Sequence, residues 1–141
     1  MYPQADIPVF QVSLIGSGSP AEHYRLGEAL QPLREQGVLI MGSGSLTHNL
    51  GEIMGRGEHD AVPDWVSDFE NWLAEALREG RVSDLLDYRQ LAPAAVRNHP
   101  TEEHLLPLFV AMGAGGAGAL ASRVHASHTY GILAMDAYTF N

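Results

Sequence analysis

Two short stretches of this sequence carry side chains able to do chemistry at neutral pH. The first is Gly42-Ser43-Gly44-Ser45-Leu46-Thr47-His48-Asn49, a glycine-rich segment ending in an imidazole with an amide neighbour. Unperturbed, histidine titrates close to neutrality. His48 in such a loop therefore serves either as a general acid–base or as a turn residue bonded to the backbone. A phosphate-binding loop would close on Gly-Lys-Ser/Thr, and that ending is absent. The second stretch, His99-Pro100-Thr101-Glu102-Glu103-His104, holds two imidazoles and two carboxylates within six residues. Its spacing fits neither H-E-x-x-H nor H-x-x-E-H of zinc proteases. With Thr101 as a helix N-cap, His104 falls in the first turn. There the positive end of the helix disfavours imidazolium and keeps the ring neutral and free to bind a metal. Glu102 and Glu103 are accounted for as carboxylates at that positive end, and His99 lies outside the helix beyond Pro100. His125 and His128 are three apart in an expected strand, so they point to opposite faces, one toward a site and one toward solvent. His23 and His59 read as surface residues.

The elements that must hold these residues follow from periodicity and punctuation. Residues 7–15 read as a strand, and 16–20 as a loop whose Pro20 opens a helix. Leu26, Leu30 and Leu33 form an apolar stripe at i, i+4, i+7, and Gly37 ends the helix. Residues 38–41 are a short apolar run suited to a buried parallel strand, which completes a right-handed βαβ unit. The His48 loop then sits at the carboxyl end of a strand, where open α/β sheets place ligands. A second helix starts at Pro63-Asp64, buries Trp65, Phe69, Trp72, Leu73, Ala76 and Leu77, and stops at Gly80. The Trp65/Phe69/Trp72 stripe is core or subunit interface rather than a binding box. Residues 82–88 form a short helix with Leu85 and Leu86 inward. The helix capped by Thr101 runs through Leu105, Leu108, Phe109 and Met112, bent early by Pro107. Gly113-Ala-Gly115-Gly-Ala-Gly118 matches G-x-G-x-x-G by letter. It follows a helix instead of a strand, so it reads as a helix-to-strand loop. Strands over 119–126 and 132–140 turn at Tyr130-Gly131. There is no internal repeat and no linker, so residues 1–141 read as a single α/β domain, a mixed sheet flanked by helices.

Composition narrows the function further. The 141 residues are 45% hydrophobic and 18% charged, which suits a folded body with a real core. Seventeen acids against eight bases give a net charge of −9, and the arginines are scattered. A nucleic-acid partner needs a basic footprint, and an anionic membrane surface needs basic clusters, so neither is expected. Residues 1–8 do not read as a signal peptide, and no apolar run is long enough to span a bilayer. Without cysteine, thiolate metal sites and disulfides are excluded, which fits a cytoplasmic protein.

Taken in order, these motifs resemble the class III extradiol dioxygenases of the LigB-like branch, the 4,5-DOPA dioxygenase family. The matching residues are Tyr2-Pro3 with Ile7-Pro8-Val9, then Gly37 through Leu50 (GVLIMGSGSLTHNL), His99 through Leu108 (HPTEEHLLPL), and Leu133-Ala134-Met135-Asp136-Ala137-Tyr138. The resemblance implies cleavage of a catechol ring beside its two hydroxyls, with Fe(II) and O2, the iron in a facial triad with open positions. It implies that His104 is a metal ligand and His48 the acid–base histidine, with Asn49 orienting it. It makes His99, His125 and Tyr138 weaker candidates for the substrate pocket. Zinc is the ion that could stand in place of iron. Family members are about twice this long, with two further metal-binding histidines in an N-terminal half. The chain therefore reads as the C-terminal half, a partial domain of the LigB-like fold. Its expected partners are a catechol-type molecule, O2, and either a complementing N-terminal half or further copies of itself. The alternatives are a non-catalytic self-associating α/β fragment and a small metal-binding protein.

Overall fold

In a computed structural model, which describes residues 3–141, the chain organises around one apolar helix near its C-terminal end. Tyr2, part of the resemblance above, lies outside the described residues. That central helix, α6 (Leu106–Gly115), buries Leu106, Pro107, Phe109, Met112, Gly113 and Ala114. An apolar face so broad marks a helix packed on several sides.

Helix α1 (Pro20–Leu30) lies against α6. Its start is a complete capping box: Ser19 Oγ accepts the Glu22 N–H at 3.3 Å, and Glu22 Oε2 accepts the Ser19 N–H at 2.8 Å. The helix tightens into a 3-10 turn (Gln31–Gln36) and stops at Gly37, whose φ of 78° is the left-handed cap that glycine tolerates. The face of α1 that meets α6 carries His23 and Gly27, while Leu26, Leu30 and Leu33 are only half-buried. Two glycines make this contact. A Cβ on Gly27 would stand 2.1 Å from the Val110 carbonyl, and one on Gly113 would stand 2.1 Å from the Tyr24 carbonyl. Gly113–Gly115 are therefore helical, and the expected loop shrinks to the residues after them. His23 is fully buried, which corrects its reading as a surface residue. Its Nε2 accepts the Ile15 N–H at 3.2 Å and its Nδ1 donates to the Ser19 carbonyl at 2.9 Å.

Helix α2 (Asp64–Glu79) follows Pro63 and ends on left-handed Gly80, as expected. Its buried face is Val66, Phe69, Glu70, Leu73, Ala76 and Leu77. Trp65 and Trp72 sit at its margin, each covered by a guanidinium, Arg97 at 4.3 Å and Arg81 at 5.7 Å. Three short helices, α3 (Val82–Leu86), α4 (Tyr88–Leu91) and α5 (Ala95–Asn98), carry Leu85, Tyr88 and Ala95 into the core against Phe69 and Phe109.

The C-terminal residues form an interrupted antiparallel hairpin. Strand β1 (Ala121–His125) pairs with β4 (Ala137–Phe140), and β2 (His128–Thr129) pairs with β3 (Leu133–Ala134). A register shift between Arg123 and His125 interrupts the β1–β4 ladder, and residues 126–127 and 135–136 separate it from the β2–β3 ladder. The turn lies at Tyr130-Gly131, both with positive φ (54° and 66°), the conformation that matches strand twist in a tight hairpin.

Two expected strands do not form. Residues 7–15 and 38–41 have no ladder partner, so no βαβ unit arises among the described residues. Their side chains are correspondingly open: Val9 and Phe10 are 85% and 86% exposed, Leu39 and Met41 70% and 61%. A run of strand-forming residues becomes a strand only when a neighbouring backbone takes its hydrogen bonds. The start of α6 also differs from expectation. Thr101 caps nothing; its Oγ1 donates to Glu103 Oε1 at 2.8 Å. The helix begins at Leu106 with Pro107 in its first turn, where a missing N–H costs nothing, so the proline sets the start instead of bending the helix.

Candidate active site

Residues 45–49 are fastened at every position. Ser45 N–H donates to the His104 carbonyl (2.8 Å) and the Leu46 carbonyl accepts from His99 Nε2 (2.7 Å). Thr47 Oγ1 donates to the Ile132 carbonyl (2.8 Å) and accepts the Ala134 N–H (2.7 Å). His48 N–H donates to the Asn98 carbonyl (3.0 Å), and Asn49 Nδ2 donates to the Arg97 carbonyl (2.6 Å). Just upstream, Gly42 and Gly44 let the segment lie against the N-terminal end of α6. Any Cβ there would stand 2.2 Å from the Pro107 carbonyl and 2.1 Å from the His104 carbonyl. The loop is thus a rigid mount for His48.

The mount brings His48 face to face with His104. Their ring centroids are 3.7 Å apart and their planes differ by 14°. His104 sits in the turn before α6, outside the first helical turn in which it was expected. Its Nδ1 lies 3.2 Å from Glu103 Oε1 but makes no hydrogen bond. Burial, then the adjacent His104, pushes the His48 pKa below its ordinary value. A neutral imidazole with an available nitrogen can accept a proton from a bound hydroxyl.

Imidazole lone pairs lie in the ring plane, so two parallel stacked rings do not aim at one point. The pair is better suited to two tasks than to joint ligation of one ion. Among the described residues, no group of three or more His, Asp or Glu is placed to hold a metal. The described residues therefore do not make up a metal site by themselves.

The remaining candidates are placed differently. Asn49 is bonded to the Arg97 carbonyl beside His48. His99 is fully buried in the core behind the loop, among Phe69 and Tyr88, and burial lowers its pKa to about 4. It props the loop and does not line the open groove described below. His125 is exposed, pairs with Ser127 Oγ at 2.8 Å, and is not among the residues lining the groove. Tyr138 does line it; its hydroxyl donates to Asp136 Oδ2 at 3.0 Å, and burial raises its pKa.

That groove has a volume of about 670 Å³ and runs beside His104 between residues 38–46 and 136–140, floored by α6. Two further features lay outside the reach of the sequence. Thr47 is a fully buried hydroxyl with two backbone partners, and nothing in its neighbours announces this. Glu70, 6% exposed, joins α2 to the hairpin through Arg123 and through His128 Nε2 (2.7 Å), and Arg123 continues to Asp136 (2.8 Å).

Comparison with known proteins adds an independent line. The family model described as the catalytic LigB subunit of aromatic ring-opening dioxygenase matches residues 1–139. Proteins named 4,5-DOPA dioxygenase extradiol are similar to this chain. The one from Beta vulgaris is 42% identical over 99% of this chain and 52% of its own length. The one from Escherichia coli K12 is 35% identical over 81% of this chain and 42% of its own length. The crystal structure of an uncharacterized Escherichia coli K12 protein superposes with a TM-score of 0.84 at 29% identity. That match covers 98% of this chain and 57% of the other. The chain spans about half the length of the curated relatives it matches.

Proposed function

Because the chain belongs to the LigB family of aromatic ring-opening dioxygenases, we propose that it is the acid–base-bearing part of an extradiol dioxygenase acting on catechol-type substrates. The observation that carries this reading is the stacked pair of His48 and His104 on a fully fastened loop. In this reading His104 is one ligand of an Fe(II) ion, and the other ligands come from a complementing N-terminal half. Bound iron would supply the activation of O2 and of the ring. This chain's residues do the rest. His48, held neutral, takes a proton from a substrate hydroxyl and later returns it to the departing oxygen. Asn49 fixes the loop beside it, and Tyr138 forms part of the wall against which an aromatic ring lies. Zinc would occupy the same ligands without redox chemistry. Among the described residues no helix is long and apolar enough to cross a membrane, and a cytoplasmic setting is part of this proposal.

The test is direct. The chain is supplied anaerobically with Fe(II) and a catechol such as DOPA, then exposed to oxygen, alone and with an N-terminal half from a relative. A yellow ring-opened semialdehyde is expected from the pair and not from the chain alone. No colour from either preparation, with both components folded and associated, would reject the catalytic reading in favour of a non-catalytic fragment.

A further inference from the structure

We propose that Tyr138 selects catechols whose ring substituent donates a hydrogen bond, an ammonium ahead of a carboxylate, and that Arg123 and Glu70 are positioning residues that give it this polarity. The inference rests on the reading that a catechol lies in the groove with its hydroxyls at His48, and it assigns which substituent that groove accepts.

Hydrogen-bond direction is the first argument. Arg123 Nη2 donates to Asp136 Oδ1 at 2.9 Å, and its Nε stands 2.8 Å from Oδ2. A guanidinium has donors alone, so both carboxylate oxygens act as acceptors. The Tyr138 hydroxyl, 3.0 Å from Oδ2, therefore donates to it. A phenol has one O–H, and with that proton committed only lone pairs remain for a ligand. Burial, then the adjacent Asp136, raises the Tyr138 pKa, so the hydroxyl keeps its proton. Arg123 is held in turn from behind. Its Nη2 also donates to Glu70 Oε1, and Glu70 Oε2 pairs with His128 Nε2 at 2.7 Å. The side chains of Glu70 and Asp136 are both covered from solvent, which keeps the array in one arrangement.

Placement is the second argument. The hairpin is tied at two points: Ala134 N–H donates to Thr47 Oγ1, next to His48, and the Phe140 carbonyl accepts from Arg34 Nη2 beyond the end of α6. Tyr138 lies between these ties on the wall of the groove. A catechol with its hydroxyls at His48 thus carries its substituent along the groove toward Tyr138.

Charge is the third. Two carboxylates face one guanidinium and one imidazole, so the array carries no net positive charge in either state of His128. It offers a carboxylate no attraction. The guanidinium of Arg34 also lines the groove, but at the far end of α6, about 15 Å from the start of that helix. Its Nη1 is committed to the Ala114 and Gly115 carbonyls.

The experiment uses this chain complemented with an N-terminal half from a relative and loaded with Fe(II) without oxygen. The probes are dopamine, which ends in an ammonium, and 3,4-dihydroxyphenylpropionate, which ends in a carboxylate. Calorimetry reads their affinities, and oxygen is then admitted to read ring cleavage. The parent should bind dopamine about tenfold tighter, the factor expected from one hydrogen bond to a charged group. Tyr138→Phe leaves the Arg123–Asp136 pair in place and should bring that preference to roughly one-to-one. Arg123→Met should do the same, because the Tyr138 proton is then free to turn toward the groove. Arg123→Lys keeps the charge without the fork and should fall between, which reads the positioning role even where the Met variant does not fold. In turnover the change should enter through KM, with kcat within about twofold. A merely structural defect weakens both probes alike, so an equal loss for the two overturns the proposal. So does a parent that binds the carboxylate as tightly as the amine, or that binds neither. An Arg123→Lys preference equal to the parent's overturns the positioning role. A preference lost in Tyr138→Phe, without ring cleavage in any sample, retracts the catalytic reading and keeps the selectivity. Ring cleavage with a preference that no variant moves does the reverse.

Discussion

At the scale of single residues, the stacked imidazoles divide into two roles that can be separated by measurement. In the complemented protein, His48→Ala should lower turnover by roughly 10²–10⁴-fold, the usual contribution of a positioned acid–base group, while iron content stays near that of the parent. His104→Ala should lose iron and turnover together. Equal iron content in the two variants would contradict the assignment. His99 makes a different prediction. Its pKa is lowered to about 4 by burial, so the folded protein refuses a proton that the unfolded chain accepts near pH 6.5. Its neutral form therefore favours folding fully above about pH 6.5, and that advantage falls as pH drops toward 4. The loss is on the order of 3 kcal/mol across that window. Urea denaturation of His99→Leu should show lower stability at pH 7 and a shallower decline between pH 6.5 and 4. An unchanged decline would mean that His99 does not titrate this way.

At the scale of elements, the contact between α1 and α6 depends on two glycines. Gly113→Ala should destabilise the fold by about 1–3 kcal/mol, the cost of overpacking a tight contact, read as a lower urea midpoint. Gly16→Ala, with nothing within 4 Å of the new methyl, should leave the midpoint unchanged. This interface marks the boundary of what the sequence disclosed. α2 was legible from its apolar period and Gly80, α1 from Pro20, and the hairpin turn from Tyr130-Gly131, because each depends on neighbours along the chain. Gly27 and Gly113 lie far apart in sequence and mean little until the two helices meet. The 7–15 and 38–41 segments differ from expectation for the opposite reason: their local propensity is for strand, but a ladder needs a second backbone. His48 and His104 stood out through their motifs, whereas Thr47 and Glu70 act through partners that only the fold brings near.

At the scale of the whole molecule, the chain has a sealed side and an open one. The core around Phe69, Tyr88 and Phe109 is sealed, while Val9, Phe10, Leu39 and Met41 stand open. Limited digestion with chymotrypsin should therefore cut after Phe10, 86% exposed, well before Phe69, Tyr88 or Phe109, each fully buried. Early cleavage at the buried sites would show that the sealed side is itself loose.

The fastening of residues 45–49 carries a thermodynamic consequence for that open side. Every bond that holds the loop comes from this chain. The conformational entropy of fixing His48 is therefore lost during folding, before any encounter with a partner. Association need not order that loop, and more of the gross contact energy survives as affinity. A partner that brings metal ligands would meet an acid–base already set to its final geometry, so substitutions that reshape the docking surface can alter assembly while leaving the placement of the proton-transferring ring untouched.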